Sequence, residues 1–348
     1  MSKITVVCLL LLFCSIGVSA QHKVFFETRL SKTKVKNSLY NSIKLLDSRA
    51  DTSLGFVQTG VLNRKAKVVT KQSLAKEVSN IFSSLIDTNA ANGEMLLHLR
   101  QFSFAELTAG MSESGYCAFQ ADLYTQKQDQ YQLIGSIDTL FHLRSSIDVT
   151  NALLRTGSDT LTGFIQDHLL KQPTGKIALS YSDLLHIDSI EKLSIKVYNT
   201  TTYVDGLYLS YNSFKNQTPD QEIIVTNPYL YPGNVKALNE KGKLKDVKLN
   251  KTYAVVYKGS PYIVTQYGFY PLKKENNEFL FTGQAKVSAN TGTVIAASAM
   301  FGILGALITN GGDDATFEMK IDHRNGTLIK LKEIIEVKKA STYNPDSW

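Results

Sequence analysis

Three consecutive runs, EMLLHLRQFSFAEL (94–107), SGYCAFQADLYTQ (114–126) and YQLIGSIDTLFHL (131–143), alternate apolar and polar side chains with a period of two. Such alternation puts one row of side chains on a buried sheet face and the other on the opposite face, so the stretch predicts three adjacent strands. In the middle run Cys117, Phe119, Ala121 and Leu123 share a face; in the first, His98 and Arg100 fall on the face opposite Leu97 and Leu99. The link KQDQ (127–130) is short enough for a hairpin.

Helical patterns bracket these runs. In KQSLAKEVSNIFSSLI (71–86), Leu74, Val78, Ile81, Phe82 and Leu85 fall on one apolar stripe, with Thr70 or Ser73 as cap. A second pattern starts at Asp148 as cap and turns Leu153, Leu154, Leu161, Phe164, Ile165 and Leu169 inward, loosened by Gly157 and Gly163. Helix, three strands, helix is a unit that buries one sheet face under two helices. KQPTGK (171–176) breaks both periodicities and is the expected linker. The texture then changes to short Tyr-rich strands: a turn at Asp205-Gly206 with alternation through Leu207, Leu209 and Tyr211, two strands around Lys258-Gly259-Ser260-Pro261, one in ENNEFLFTGQAKV, and a hairpin over 316–337 turning at Asn325-Gly326. The expected fold is α+β: an N-terminal helix–three-strand–helix domain (21–172), then a mainly β domain (173–340) with an apolar Gly/Ala-rich helix and a C-terminal hairpin, and a tail at 341–348.

The first residues, MSKITVVCLLLLFCSIGVSAQHK, place Lys3 ahead of an apolar run and a small-residue V-S-A pattern at 18–20, which reads as an export signal cut after Ala20. Neither Cys8 nor Cys14 follows a small residue, as a lipid-attachment cysteine should. Cys117 is the one cysteine left after cleavage, so no intramolecular disulfide forms and packing must hold the chain. That suits a bacterial envelope, periplasm or outer envelope of a Gram-negative cell, better than a disulfide-stapled secreted module. Sequons at Asn199, Asn216, Asn250 and Asn325 are tripeptides too common to change this. The net charge of +7 comes largely from lysines such as those of NVKALNEKGKLKDVKLNK (234–251). A solvated face accounts for them, with contact to anionic lipid or polysaccharide as the alternative. Export disfavours nucleic acid as a partner.

The stretches DGLYLSYNSFKNQTPD (205–220), YKGSPYIVTQYGFYPL (257–272) and FEMKIDHRNGTLIKLKEI (317–334) resemble a group of exported proteins of Gram-negative bacteria that have no assigned function. The resemblance implies an envelope location and brings no catalytic residues with it. The element order at 71–170 is similar to the periplasmic auxiliary component of lipid-trafficking ABC transport systems, which implies an accessory role in transport.

Motifs for chemistry are sparse. Cys117 lacks a histidine on its own face to make thiolate. GMSESG (110–115) departs from a nucleophile elbow, with Ser114 in the second glycine position of the frame starting at Gly110 and no helix after it. The histidines at 22, 98, 142, 168, 186 and 323 show no metal-ligand spacing, and Gly311-Gly312-Asp313-Asp314 lacks the alternating oxygen ligands of a calcium loop. No phosphate loop is present, so no cofactor or metal is expected. The chain reads as non-enzymatic, with a hydrolase the least favoured class.

The strongest remaining feature is GTVIAASAMFGILGALITNGG (292–312), inside a stretch without Asp, Glu, Lys or Arg between Lys286 and Asp313. Its apolar centre, Val294 to Ile308, would reach about 22 Å as a helix, short of the roughly 30 Å bilayer core. Ser298, Gly302 and Ala306 lie four apart and form a small-residue flank; Ile295, Ile303 and Leu307 lie opposite with Met300 and Leu304. Asp313 and Asp314 follow directly, the wrong charge sign for the cytoplasmic flank of a stop-transfer helix. The expected function is association with a membrane or an envelope protein partner, or with another copy of the chain, through Ser298, Gly302, Ala306, Ile295, Ile303 and Leu307. The alternatives are packing on its own domain or a loosely ordered loop and, for the whole protein, an accessory subunit binding a lipid or small ligand.

Overall fold

The computed structural model describes residues 22–49, 52–60, 64–109, 112–146, 148–173, 177–226, 230–238, 242–287 and 313–334. The first unit contains β1 (His22–Phe26), β2 (Tyr40–Asp47), β3 (Gly55–Thr59), β4 (Arg64–Thr70), α1 (Leu74–Leu85), β5 (Gly93–Ala109), β6 (Ser112–Lys127), β7 (Gln130–Ser145), α2 (Thr150–Gln166) and β8 (Ala178–Leu179). They form one sheet in the order β1-β4-β3-β5-β6-β7-β8, with β2 also on β5. The three expected strands are its spine. β5 is long enough to take two parallel partners in turn, β2 from Tyr40↔Gly93 to Asp47↔Leu99 and β3 at Gly55↔Phe104 and Phe56↔Ala105. The hairpin after Lys127 closes on Gln128-Asp129, with Gln128 at φ 57°.

Between the two partners β5 carries a bulge: Leu99 faces Ala121 and Gln101 faces Gln120, which leaves Arg100 as the extra residue. The bulge keeps Leu97, Leu99, Phe102 and Phe104 on one face, opposite Leu123, Ala121, Phe119 and Cys117. Helices α1 and α2 cover this face through Val78, Ile81, Phe82, Leu85, Leu153, Leu161 and Phe164, in one core. Each such fully buried side chain stabilises the fold by about 1.5–3 kcal/mol. Ser73 caps α1 by accepting the Lys76 amide at 3.3 Å. Asp148 accepts the Thr150 amide at 2.8 Å, one residue before the N-cap Val149. Gly157 does not loosen α2 as expected. A Cβ there would lie 2.5 Å from the Phe104 ring, so the glycine lets the helix sit directly on the sheet.

The second unit begins with α3 (Tyr181–Leu185), α4 (Ile187–Lys192) and α5 (Lys196–Asn199), then β9 (Gly206–Tyr208), α6 (Tyr211–Lys215), β10 (Ile223–Val225), β11 (Val235–Leu238), β12 (Leu244–Asp246), β13 (Ala254–Tyr257), β14 (Ser260–Thr265), β15 (Gly268–Pro271), β16 (Lys273–Glu275), β17 (Glu278–Val287), β18 (Asp313–Ile321) and β19 (Leu328–Glu333). Three small antiparallel sheets result, β10-β11-β12, β15-β14-β13-β9 and β16-β17-β18-β19. The molecule is α+β with mainly β content, as expected. Tyrosines and phenylalanines fill the second core edge to face, with Tyr198–Phe279 at 5.1 Å and Tyr208–Phe214 at 5.5 Å between ring centroids. Lys258-Gly259 at φ 52° and 71° and Asn276-Asn277 at φ 49° and 59° make the left-handed two-residue turns that match strand twist.

Three local expectations change. The alternation through Leu209 and Tyr211 does not continue a strand: Ser210 forms a capping box with Ser213 and starts α6, which takes Tyr211. The expected turn at Asp205-Gly206 is not formed, because Gly206 already opens β9; the Asp205 carboxylate instead accepts the Lys258 and Gly259 amides at 3.0 and 2.7 Å and holds that turn against β9. The chain also stays on the first sheet past 172, because β8 pairs with Tyr131 and Gln132 of β7, and Leu184 of α3 packs with Leu46, Leu96, Tyr124 and Tyr131.

Candidate functional site

The alternation that buries Leu97 and Leu99 under the helices puts His98, Gln101 and Ser103 on the other face of β5, beside Gln120 and Asp122 of β6. On a solvated sheet this polar row would be bland. Here it is covered: His98 is 0% exposed and Asp122 2%. The cover is helix α4 and the loop 322–327 between β18 and β19. The expected Asn325-Gly326 turn is a six-residue loop rather than a two-residue one, closed by Gly326 donating to the Asp322 carbonyl and Asp322 to the Thr327 carbonyl, both at 2.8 Å. Tyr211 and Tyr253 donate hydroxyl hydrogen bonds to the carbonyls of His323 (2.6 Å) and Gly326 (2.9 Å), tying the loop to the second core. Gly326 has φ 79°, and a Cβ there would lie 2.2 Å from the Tyr211 ring, so only glycine fits.

The loop delivers charge onto the sheet. Arg324 grips Asp122 with both Nη atoms at 3.1 and 3.0 Å, and Asn325 donates to Asp138 at 3.1 Å, where Gln120 also donates at 3.1 Å. Arg100, the bulge residue, forms a second fork to Glu191 of α4 at 2.8 and 3.0 Å, pairs with Asp188 and lies 3.5 Å from Asp122. His323 Nε2 sits 2.7 Å from Glu191 Oε2. Burial works against the Glu191 charge, yet hydrogen bonds from His323 and Arg100, with the field of both arginines, hold its carboxyl down at about 2. Burial likewise opposes the Arg100 charge and the carboxylates outweigh it, pushing its pKa up. Two guanidiniums and their carboxylates therefore form one seam between the units, of the planar forked kind that arginine favours.

Asp188, Glu191 and His323 offer ligand atoms within 4.8 Å of one another, a cluster that sequence spacing did not reveal. The Arg100 guanidinium already binds both of those carboxylates, so the spot suited to a cation lies beside a fixed positive charge. The donor set is that of an ion-pair network.

Beside the seam lies a cavity of about 450 Å³. Its buried wall includes His98 and Ser103; Leu185 and Leu331, 54% and 48% exposed, stand at its open side. Ser48 Oγ lies 2.9 Å from His98 Nε2, the serine–histidine pairing that sequence reasoning missed because β2 and β5 meet across 50 residues. A serine nucleophile also needs an acceptor that orients the imidazole through its other nitrogen. Nδ1 of His98 is buried without a partner, and burial, with the Arg100 charge, pushes the imidazole down to about 4, a weak base. Burial pushes the Cys117 thiol up, and its neighbours are the Phe104 ring and Gly157 rather than a histidine. Strands β5 and β6 pair up to Ala109↔Ser112 and no helix follows, so the elbow geometry is absent around Ser112 and Ser114. The amide of Asn199 donates to the carbonyls of Lys192, Leu193 and Ile195, and that of Asn325 to Asp138, so these sequon side chains have structural work.

Ser298, Gly302, Ala306, Ile295, Ile303 and Leu307 all lie outside the described residues, as does the export signal. Among the described residues no helix is long and apolar enough to cross a membrane. No family model and no curated protein matches the chain. Among solved structures it is similar to the crystal structure of a Xanthomonas campestris protein of family DUF330, with 11% identity and a TM-score of 0.29, over 42% of this chain and 93% of that one. A likeness of this size carries no argument about function.

Proposed function

We propose that the protein is a non-enzymatic, exported component of a Gram-negative cell envelope, which attaches to a membrane surface or an envelope protein through 292–312. The observation that carries this reading is the pairing of β17 with β18 as far as Val287↔Asp313. The 25 residues from 288 to 312 therefore leave and return at facing positions of one ladder, whose Cα atoms lie about 4.5–5.5 Å apart. A single crossing would put those ends on opposite sides of a bilayer. Two helical crossings need about 40 apolar residues, more than are available. Two strands would fit, but an open pair leaves unsatisfied edges in lipid unless copies close a barrel. An uncharged excursion with joined ends fits attachment from one side.

The test joins Val287 to Asp313 by a short Gly-Ser linker, which leaves the β17–β18 ladder intact, and compares cell fractions. We expect the full chain to cofractionate with membranes or a partner complex and the shortened chain to be released; equal distribution of the two would refute the proposal. A second reading, an accessory subunit that binds a small ligand, is favoured by the seam cavity. Neither reading assigns a role to Cys117, which is buried in the first core, so Cys117→Ser should leave cellular function unchanged.

A further inference from the structure

One long side of the first sheet is left without a neighbour. Among the described residues β8 pairs only with Tyr131 and Gln132 of β7, and no strand pairs with residues 133–143 on the side away from β6. The opposite edge strand, β1, has five residues and carries Lys23, the kind of short, charged edge that resists pairing. Residues 133–145 hold neither lysine nor proline. The bulge in β7, where Gly135 faces Leu123 and Leu133 faces Tyr124, lies at one end of the stretch and leaves the rest regular. The apolar core also ends open along this edge. Cys117, Phe119, Ala121 and Leu123 of β6 are 0% exposed, whereas Ile137, Phe141 and Leu143, which pack against the same core from β7, are only partly buried.

Charge says what fits there. Residues 133–145 contain one carboxylate, Asp138, and one guanidinium, Arg144, both exposed and both on the same face of the strand. Asp138 accepts hydrogen bonds from two neutral amides, those of Gln120 and Asn325. An antiparallel strand of the same sequence, related by a twofold axis at Phe141, sets Asp138 of each copy opposite Arg144 of the other and Phe141 opposite itself. Residues directly opposite in such a pair point to the same side, so Ile137, Thr139, Phe141 and Leu143 of both copies stay on the core face. Moving the axis to Leu140 sets Asp138 opposite His142 and loses both charge pairs. With the axis at Phe141 the two Asp138 positions, where each copy's Asn325 reaches the sheet, fall about 20 Å apart along the strands, which leaves room for both loops.

We propose that β7 is a dimerisation edge, at which a second copy of the chain pairs antiparallel about Phe141 and continues the sheet across both molecules. The occupant is a second copy because the edge complements itself, in charge and in its partly buried apolar row. The surface is separate from 292–312, so failure of one proposal leaves the other standing.

Sedimentation equilibrium of the full mature chain tests it. The wild type should be a dimer in concentration-dependent exchange with monomer. Arg144→Glu and Asp138→Lys should each weaken the dimer at least about tenfold, because the twofold axis turns two attractive pairs into like-charge pairs. An equimolar mixture of the two variants should dimerise as the wild type does, since each position then meets its opposite charge, and this recovery shows that both variants fold. A wild type that stays monomeric at its highest soluble concentration, a dimer indifferent to both substitutions, or a mixture no better than the separate variants would overturn the proposal. So would a dimer that disappears when Val287 is joined to Asp313, which would assign self-association to 288–312 instead.

Discussion

Glu106 is a carboxyl that the fold holds closer to neutral than its chemistry prefers. It is 6% exposed and accepts hydrogen bonds from the Gln58 amide (2.7 Å) and the Thr150 hydroxyl (3.0 Å) through Oε2, while Oε1 has no partner. Burial pushes its pKa up to about 7, those two hydrogen bonds pull it back only in part, and Asp148 and Glu113 push it up further. The folded form therefore binds the proton more tightly than the unfolded chain does. Stability from this group is fully present below the ordinary carboxylate value near 4.5 and is lost as pH rises through about 7. The full swing is of the order of 3 kcal/mol. Urea unfolding at pH 5 and pH 8 should show Glu106→Gln gaining on the wild type by about 3 kcal/mol at the higher pH. The comparison with the wild type cancels His98, whose imidazole, pushed down to about 4, acts in the opposite direction over the same interval. Glu191 has the opposite sign: the stability it contributes is present above about 4.5 and lost as pH falls through about 2, so the seam survives mild acid. Buried side-chain chemistry of this kind has no sequence signature. Glu106 sits in the same alternation as its neighbours, and only the approach of β3 and the start of α2 makes it unusual.

At the level of elements, Gly157 makes a prediction that separates packing from propensity. Helix propensity alone says that Gly157→Ala should stabilise α2 by about 1 kcal/mol. The Phe104 ring in the path of the new methyl says that it should destabilise by about 1–3 kcal/mol, readable as a lower denaturation midpoint. Gly163, with nothing near its missing Cβ, is the internal control: Gly163→Ala should stabilise. The elements legible in the sequence were those specified locally. The long strands β5 to β7, helix α1 with Ser73 and the turn at Lys258-Gly259 each carry their period or turn chemistry within a few residues. Strands β1 to β4 were not read, because β1 and β2 pair in parallel with segments about 50 residues away and their burial comes from those partners. Helices α3 to α5, of 5, 6 and 4 residues, are too short to show a helical period.

On the scale of the whole molecule, the two units meet through ion pairs and through a small apolar cluster in which Leu184 of α3 packs with Leu46, Leu96, Tyr124 and Tyr131. Arg100, Asp122, Glu191 and Arg324 span most of the chain, and in sequence each reads as a solvated charge. Removal of one member leaves its partner buried and uncompensated, at a cost of about 3–5 kcal/mol. Arg324→Ala leaves Asp122, whose side chain is 3% exposed, with Arg100 at 3.5 Å as its remaining cation, so its cost falls at the low end of that range. Scanning calorimetry of this variant should split one unfolding transition into two, the second unit melting first, because the loop 322–327 no longer holds it to the sheet. Asp122→Asn alone should give a smaller loss, since the amide still accepts from Arg324. The same disposition explains why the seam escaped sequence reading while its polar row on β5, His98 and Arg100 opposite Leu97 and Leu99, did not.

The facing positions Val287 and Asp313 give the chain a property separate from the proposed attachment. An insert whose two ends meet adds no lever arm and transmits no strain to its host, so it behaves as a cassette. If the proposed attachment resides in 288–312, grafting those residues between the paired strands of an unrelated hairpin should carry the attachment with them. Opening the chain there and joining the old termini elsewhere should leave both cores able to form.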